Sequence, residues 1–439
     1  MRRSILAALG AAMMFIAVSE AMAAKDGIEW GANMRLRQEY WRDVFDLNKD
    51  VPYDDNFFRT KTTVWGRYDI DENKNVYVRL ANEWRRYLKS NTATWRSQPV
   101  DGDEGIIDNV YVEGRKLVGG KLDVKVGRQD FLGVFGEGFL IMDGTPGDGS
   151  RTFYFDAIKA TWRFNEKNSV DVAFIKNTAV DGMLLFENGF GPKKINTSDE
   201  EAGVVYGHMK PADKVTVEPY FMAKREKTAP KLDLYTVGGR AVYVAGPWKA
   251  RGELAMQSGK YDVTPEKKRS GTGGYAFLTR SFKEAMFSPE VEAGMVYLSG
   301  DDTTTTDVEG WDPLFSRWPW MSELYILTYA SETKIPAYWT NLSMIMLPQV
   351  KLQLAKNTSF TGSYKLLRAP QKTAVRKAMF SNSGTNRGQL LGVTVRQTIN
   401  KNVSAYIMVE HLVAGDFYEN SVAPGPADFI RWNVDIKFK

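Results

Sequence analysis

Cysteine is absent from the 439 residues of the chain, and histidine occurs only as His208 and His411. Without cysteine the protein has no disulfide, thiolate zinc site, iron–sulfur cluster, cysteine nucleophile or lipid-bearing cysteine anchor. Two histidines are too few for a histidine-rich metal or haem site. We therefore expect no metal site and no cofactor.

Long apolar runs and a strong excess of one charge are also missing. After residue 24 no stretch reaches the about 18 consecutive apolar residues of a membrane-spanning helix. The 58 Lys and Arg residues against 53 Asp and Glu residues give a net charge of +5, which does not indicate nucleic-acid binding in a chain of this length. The chain is long enough for several soluble domains or for one large barrel.

Sequence signatures of catalysis are missing as well. The chain has no G-x-S-x-G elbow, no Walker loop and no H-E-x-x-H motif. The glycine-rich segment Gly144–Ser150 lacks the lysine of a phosphate-binding loop. A hydrolase would have to use His208 or His411, and the alternation described below places His411 on the outward face or at a rim. We predict that the protein is not an enzyme.

The N-terminus has the three parts of a bacterial secretory signal peptide. Arg2 and Arg3 precede an apolar stretch over residues 4–18, and Ala21-Met22-Ala23 has the small residues of a cleavage site. The apolar stretch is short for a membrane anchor. We predict a signal peptide over residues 1–23, export from the cytoplasm, and a single domain over residues 24–439.

Apolar and polar residues alternate with period two through the rest of the chain. In the segment 28–39, apolar residues hold the even positions from Ile28 to Leu36, and the odd positions carry charged or small residues. The segment 430–438 has the same pattern, and helical spacing is nowhere sustained. Since successive side chains of a strand point to opposite faces, the sequence predicts an all-β fold with one apolar face.

The connections between these strands alternate in length. Eight short turns rich in Gly, Pro, Asn and Lys alternate with nine long loops, which predicts 18 strands. An even number of antiparallel strands, with short turns at one rim and long loops at the other, is typical of a bacterial outer-membrane barrel with short periplasmic turns. The segments 232–244 and 272–282 alternate poorly, so strand numbers from 16 to 20 remain open.

A secreted soluble all-β carbohydrate-active enzyme would also show alternating strands. No internal repeat at propeller spacing is present, and the short–long alternation runs through the whole chain. Aromatic residues cluster near predicted strand ends, as in the girdles of membrane barrels. We therefore favour a barrel in contact with the lipid of a Gram-negative-type outer membrane.

The face opposite the apolar one is densely charged. On the first three strands it carries Glu83 and the basic residues Arg35, Arg37, Arg59, Lys61, Arg67, Arg79 and Arg85. Arg163 and Glu410 lie on the same parity further along the chain. The planar fork of arginine suits carboxylates, so the pattern predicts a lumen that takes an anionic saccharide. The alternative is a general or small-solute porin whose polar lumen is filled with compensating ion pairs.

Strict alternation fails at Arg128. Leu122, Val124 and Val126 occupy the apolar face, which would send Arg128 to the same side. A β-bulge at Gly127 would return this arginine to the lumen. We predict that bulge, or a strand that ends at this point above the membrane.

Three motifs resemble the alginate-export family of outer-membrane proteins. They are Val126-Gly127-Arg128-Gln129-Asp130 with Arg151 and Asp156-Ala157 after a glycine-rich loop, Trp311-Asp312-Pro313-Leu314-Phe315, and Glu410-His411 with Gly415-Asp416-Phe417-Tyr418. The resemblance implies a monomeric 18-stranded barrel whose arginine-lined pore exports an anionic uronate polysaccharide, with a role for Arg128. Periplasmic export or synthesis machinery is left open as a partner. None of the short turns is long enough for a periplasmic plug, which keeps a more general channel open.

The longest predicted loop, over residues 301–338, is rich in tryptophan. Trp311, Trp318 and Trp320 lie within ten residues of one another. Three uses fit them: a platform on which sugar rings stack, a constriction folded into the barrel mouth, or packing against neighbouring loops.

Overall fold

A computed structural model describes residues 27–48, 50, 53–90, 100–142, 154–188, 197–335, 337–372, 384–419 and 424–438. The predicted signal peptide over residues 1–23 lies outside the described residues.

Eighteen strands in the described part of the chain form the barrel, and we label them β1 to β18. They are β1 Ile28–Arg42, β2 Asp54–Asp71, β3 Lys74–Ser90, β4 Val100–Lys116, β5 Leu122–Gln129, β6 Phe155–Arg163, β7 Ser169–Asn177, β8 Glu200–Ala212, β9 Val215–Glu226, β10 Leu232–Ala245, β11 Trp248–Tyr261, β12 Lys267–Ser281, β13 Glu290–Leu298, β14 Leu342–Ala355, β15 Thr358–Arg368, β16 Asn386–Thr398, β17 Val403–Ala414 and β18 Ala427–Phe438.

Each strand pairs antiparallel with the next one in the chain, and β18 pairs with β1 to close the ring. The predicted 18-stranded antiparallel barrel is therefore confirmed. The short turns lie at the rim that also holds the two ends of the barrel chain, and the long loops lie at the opposite rim. A short extra strand, Leu184–Asn188, pairs with the part of β4 that extends beyond β5.

The outward face of the wall is apolar and exposed. Phe221 on β9 and Leu254 and Met256 on β11 are about half exposed. Such a band of exposed apolar side chains is what a barrel wall needs in order to contact lipid. No helix in the described part of the chain is long and apolar enough to cross a membrane.

Two of the long loops fold into the barrel. We call them the first inward loop (residues 130–142) and the second inward loop (residues 299–341). They meet in a short parallel pairing of Ile141–Met142 with Phe315–Ser316. The second inward loop also contains the helix α1, Tyr325–Thr333.

The hydrophobic core of the protein lies inside the barrel. Towards the long-loop rim, inward positions on β8 to β17 carry buried apolar side chains that pack on the inward loops: Val204, Met222, Leu234, Ala255, Val296, Met344, Leu367 and Leu412. From the loops, Phe139, Trp311, Leu314 and Tyr325 join the same cluster. One side of the interior is therefore packed like the core of a soluble domain.

Replacement of Leu254 by Arg tests the assignment of the outward face. Leu254 points outward near the middle of β11 and is 55% exposed. An arginine at mid-depth of a lipid-facing wall costs about 2–4 kcal/mol, and less near the rims. We expect Leu254→Arg to lower the denaturant midpoint of the lipid-embedded barrel clearly more than Ser258→Arg, which lies nearer the rim on the same face. Equal midpoints for the two variants would contradict the assignment.

Candidate functional site

Six basic side chains converge on the inner wall where β18, β1, β2 and β3 meet. We call them the basic cluster: Arg35, Arg37, Arg59, Lys61, Arg85 and Arg431. The strand register brings them together, because Arg35 lies opposite Lys61, and Arg59 lies opposite both Arg37 and Arg85. Directly opposed like charges in a sheet are destabilising, so this arrangement requires carboxylates nearby.

Two carboxylates hold the cluster together. Glu39 accepts ion pairs from Arg37 at 3.4 Å, Arg59 at 3.5 Å and Arg431 at 3.0 Å. Glu83 is 2.7 Å from Arg59 and 3.5 Å from Arg35. Four guanidinium groups thus share two carboxylates, and Glu323 of the second inward loop adds a third, 2.9 Å from Arg431. Since Lys61 and Arg85 also belong to the basic cluster, its six basic side chains outnumber these three carboxylates.

The other arginines predicted on the first strands lie closer to the short-turn rim. Arg79 faces the interior and binds Asp108 at 2.8 Å and Asp130 at 3.3 Å. Arg67 lies beyond it, 2.7 Å from Asp69. Arg163 is further away around the wall, at the short-turn end of β6, and donates to Asp123 at 2.9 Å. These three side chains face the interior but do not join the basic cluster.

For Arg128 the first of the two predicted alternatives, a bulge at Gly127, is wrong, and the second, a strand that ends at this point, agrees with the end of β5 at Gln129. The pairings of β5 with β4 and β6, all within described residues, run without a register shift, so the predicted bulge at Gly127 is not there. Arg128 keeps the outward parity and lies one residue before the end of its strand. It is buried because it binds Asp156 and Asp181, each at 2.9 Å, and stacks on Tyr154. These contacts join the end of β5 to Asp156 on β6 and to Asp181 in the loop after β7, and they do not direct Arg128 into the lumen.

The second inward loop is seated on β11 and β12 through the motif that begins at Trp311. Gly273 points inward, and a Cβ atom there would lie 2.6 Å from the Trp311 indole, so glycine makes room for this ring. Phe139 of the first inward loop stacks on Trp311 with centroids 5.1 Å apart. The side chain of Gln257 then binds both the backbone NH and the backbone carbonyl of Asp312.

The Asp312 carboxylate completes this seat. It lies 3.3 Å from Arg269 and accepts a hydrogen bond from the Tyr338 hydroxyl at 2.9 Å. Burial alone would raise the pKa of the Asp312 carboxyl, but the charges of Lys224 and Arg269 outweigh burial and hold this pKa below its ordinary value. Asp312 is therefore an ionised anchor of the loop.

The far end of the same loop is held by the wall at β15 to β17. Glu410 accepts hydrogen bonds from the Ser322 hydroxyl at 2.6 Å and the Leu324 NH at 2.7 Å. Lys365 donates to the Met321 carbonyl at 2.7 Å. The loop thus crosses the interior from one wall to another and divides it.

Arg387 is an anchor that the alternation did not predict. It forms a two-pronged ion pair with Glu332 of α1, with both distances 2.8 Å, and its side chain is fully buried. The register of β16 against β15 skips one residue at this point, and Gly388 has a φ of +115°. This irregularity turns Arg387 inward, although strict alternation would place it outward.

The predicted tryptophans all belong to this folded loop. Trp311 is 1% exposed with its ring between Phe139 and Gly273, so its faces are taken. Trp318 donates from its indole NH to the Gly138 carbonyl at 3.0 Å, and Trp320 packs against Phe139. These contacts join the tryptophans to the first inward loop, as expected of loop packing, and the loop that carries them is folded into the barrel, as expected of a constriction.

A closed 18-stranded antiparallel barrel with an apolar exterior and loops folded inward defines the class of outer-membrane porin-like barrels. Three solved structures of this class are similar: OccAB1 of Acinetobacter baumannii (12% identity, 93% of this chain, 96% of that chain, TM-score 0.58), and from Pseudomonas aeruginosa OpdK with vanillate and OccK2 (OpdF) in complex with glucuronate (each 11%, 93%, 98%, 0.57). At these identities the likeness establishes the fold.

The family follows from the sequence itself. The model of the alginate export family matches residues 27–424, and the chain belongs to this family. No curated protein matches the chain in sequence. Family and fold together make the protein an outer-membrane channel and not an enzyme. The resemblance found in the sequence motifs is confirmed.

The Arg387–Glu332 pair offers a test of the loop anchors. In Arg387→Gln the buried Glu332 carboxylate loses its charged partner, which costs about 3–5 kcal/mol for a buried pair. We expect the second inward loop to detach from the wall for part of the time. In planar bilayers the single-channel current should then fluctuate more, and its fully open level should be larger. Arg396→Gln, on the same strand, should leave the current unchanged. A quiet current in Arg387→Gln would contradict the anchoring role.

Proposed function

We propose that the protein conducts anionic saccharides of the uronate type, as oligosaccharide or polysaccharide, along the inner wall formed by β18, β1, β2 and β3. The observation that carries this proposal is the basic cluster, in which four guanidinium groups share the carboxylates of Glu39 and Glu83. An excess of positive charge on a low-dielectric wall raises the local concentration of anions.

The division of the interior supports this route. The inward loops pack mainly on the wall from β8 to β17, and the same core takes in Trp41 and Phe57 at the long-loop ends of β1 and β2. The basic cluster lies next to these rings, and its arginines are largely buried among one another and their carboxylates. On the route we propose, a solute that crosses the barrel passes the basic cluster and Arg79. The second inward loop brings the carboxylate of Glu323 to the cluster.

The chemistry of arginine favours carboxylates over other solutes. A guanidinium group offers two parallel NH donors that match the two oxygens of a carboxylate. In the basic cluster these donors are already engaged by Glu39 and Glu83, so a solute carboxylate exchanges with them and does not bind an empty site. Exchange of this kind gives weak, reversible contacts, which conduction requires.

A second candidate is a channel for small carboxylates that takes no polymer. The second inward loop favours it, because anchors on both sides, at Gln257 and at Glu410, hold the loop across the interior and narrow it. Similar barrels have been solved with a small aromatic acid, vanillate, and with a single sugar acid, glucuronate. Current block by polymannuronate, or its absence, separates the two candidates.

Loss of charge from the basic cluster tests the proposal directly. We expect the double variant Arg35→Gln, Arg59→Gln to reduce the preference for chloride over potassium about threefold or more, because two of the four guanidinium groups that share Glu39 and Glu83 are lost. The measurement is the reversal potential in a salt gradient across a planar bilayer.

The matched control is Lys249→Gln, Lys351→Gln, which removes the same charge from inward positions near the short-turn rim. We expect this control to keep most of the anion preference. If both double variants shift the reversal potential equally, selectivity comes from the overall charge of the lumen and the assigned route is wrong.

A further inference from the structure

Three aromatic side chains lie side by side on the inner wall, between the basic cluster and the short-turn rim. Trp65 on β2, Tyr77 on β3 and Tyr111 on β4 all point inward, and we call them the aromatic shelf. The ring centroids of Trp65 and Tyr77 are 6.0 Å apart with planes 22° from parallel, and those of Tyr77 and Tyr111 are 5.0 Å apart at 18°. The row is therefore a continuous stack across three strands.

The rings of the shelf overlap only in part. Parallel carbon surfaces in full contact are about 3.5–4.0 Å apart, so at centroid distances of 5.0 and 6.0 Å the rings are not in full face-to-face contact. Each ring then leaves part of its face uncovered by its neighbour. All three side chains are only half-buried, unlike Trp311, and they lie away from the packed half of the interior.

The wall makes room for these rings at both ends of the row. Gly31 lies opposite Trp65, and a Cβ atom on it would be 2.7 Å from the indole. Gly127 lies opposite Tyr111 and brings no side chain to the interior. Lys125 completes that end with its amino group 4.4 Å from the centre of the Tyr111 ring.

Arg79, which is paired with Asp108 and Asp130, borders the shelf on the side of the basic cluster. Arg79 is the register partner of Trp65, and Lys61 lies four residues away along the same inward face, about 13 Å towards the long-loop rim. A ring lying on the shelf would therefore have a guanidinium group beside it and the basic cluster ahead of it. This juxtaposition suits a ligand with one apolar ring face and one carboxylate.

We propose that the aromatic shelf is a binding subsite for the pyranose ring of an acidic saccharide, on the periplasmic side of the basic cluster. The CH groups on one face of a pyranose pack on the exposed aromatic surface, while its carboxylate points to Arg79. The inference rests on the proposed function and adds a requirement for a ring, which the basic cluster alone does not impose. An open-chain sugar acid of equal charge can interact with the basic cluster but has no ring to pack on the aromatic shelf.

The experiment compares D-glucuronate, which is cyclic, with D-gluconate, which is an open chain of the same charge. Both are added to the short-turn side of single channels in planar bilayers, and the residence time of each current block is measured. We expect Trp65→Leu and Tyr77→Leu each to shorten the glucuronate residence time about three- to tenfold and to change the gluconate time less than twofold.

Tyr406→Leu is the matched control. Tyr406 also faces the interior and is stacked by Arg396, but it stands on β17, three strands from Trp65 around the ring, and pairs with no other aromatic ring in the described part of the chain. We expect wild-type residence times for both acids in this variant. Tyr111→Leu provides a third shelf variant, and the shift of each protein on unheated gels shows that its barrel is folded.

Equal shortening for glucuronate and gluconate, or no shortening in any folded shelf variant, overturns the subsite. Failure of the proposed function has a different signature: the wild-type channel shows no anion preference in its reversal potential. If the channel prefers anions but the residence time of glucuronate is no longer than that of gluconate, the proposed function stands and the binding subsite is wrong.

Discussion

The packing of two loops against the inner wall is the constraint on which the rest of the structure depends. A barrel interior of this width would otherwise be lined by polar side chains all the way around. Here Trp311, Phe139 and their neighbours bury an apolar face on β8 to β17. The remaining wall, from β18 to β3, carries the basic cluster, whereas the inward charges on β8 to β17 include Arg240, Glu218 and Glu253. The asymmetry of the interior, and the route we propose through it, both follow from this packing.

The charged wall has its own internal order. The inward guanidinium groups of the basic cluster are held in place by Glu39 and Glu83, and Arg79 is held by Asp108 and Asp130. These ion pairs hold the arginine side chains in defined positions on the wall. The aromatic shelf beside them is rigid for a different reason, since its rings support one another across strands. The basic cluster and the aromatic shelf thus lie next to each other on the same wall, with the cluster towards the long-loop rim and the shelf towards the short-turn rim.

Much of the fold could be predicted because the alternation of a barrel wall is local. The strand number, the rims and the inward parity of Arg35 and Arg59 needed only a period of two and the lengths of the connections. Prediction was weakest where tertiary packing sets the residue type. The segments 232–244 and 272–282 alternate poorly because Leu234 packs on a loop and Gly273 makes room for Trp311. Gly127, expected to bulge, does not, whereas an irregularity that no pattern indicated turns Arg387 inward. The row of Trp65, Tyr77 and Tyr111 could not be predicted, because contact between its rings depends on the register of neighbouring strands, which a period of two does not fix.

The position of Glu39 links the charge of the inner wall to the closure of the barrel. Its carboxylate binds Arg37 on β1, Arg59 on β2 and Arg431 on β18, and the pairing of β18 with β1 is the seam at which the first and last strands of the barrel meet. The seam joins residues nearly 400 positions apart, so it is the contact with the largest loss of chain entropy. The same ions that give the wall its positive charge therefore also fasten the cylinder shut. Replacement of these arginines would therefore remove side-chain support from the seam and leave its closure to the backbone pairing of β1 with β18.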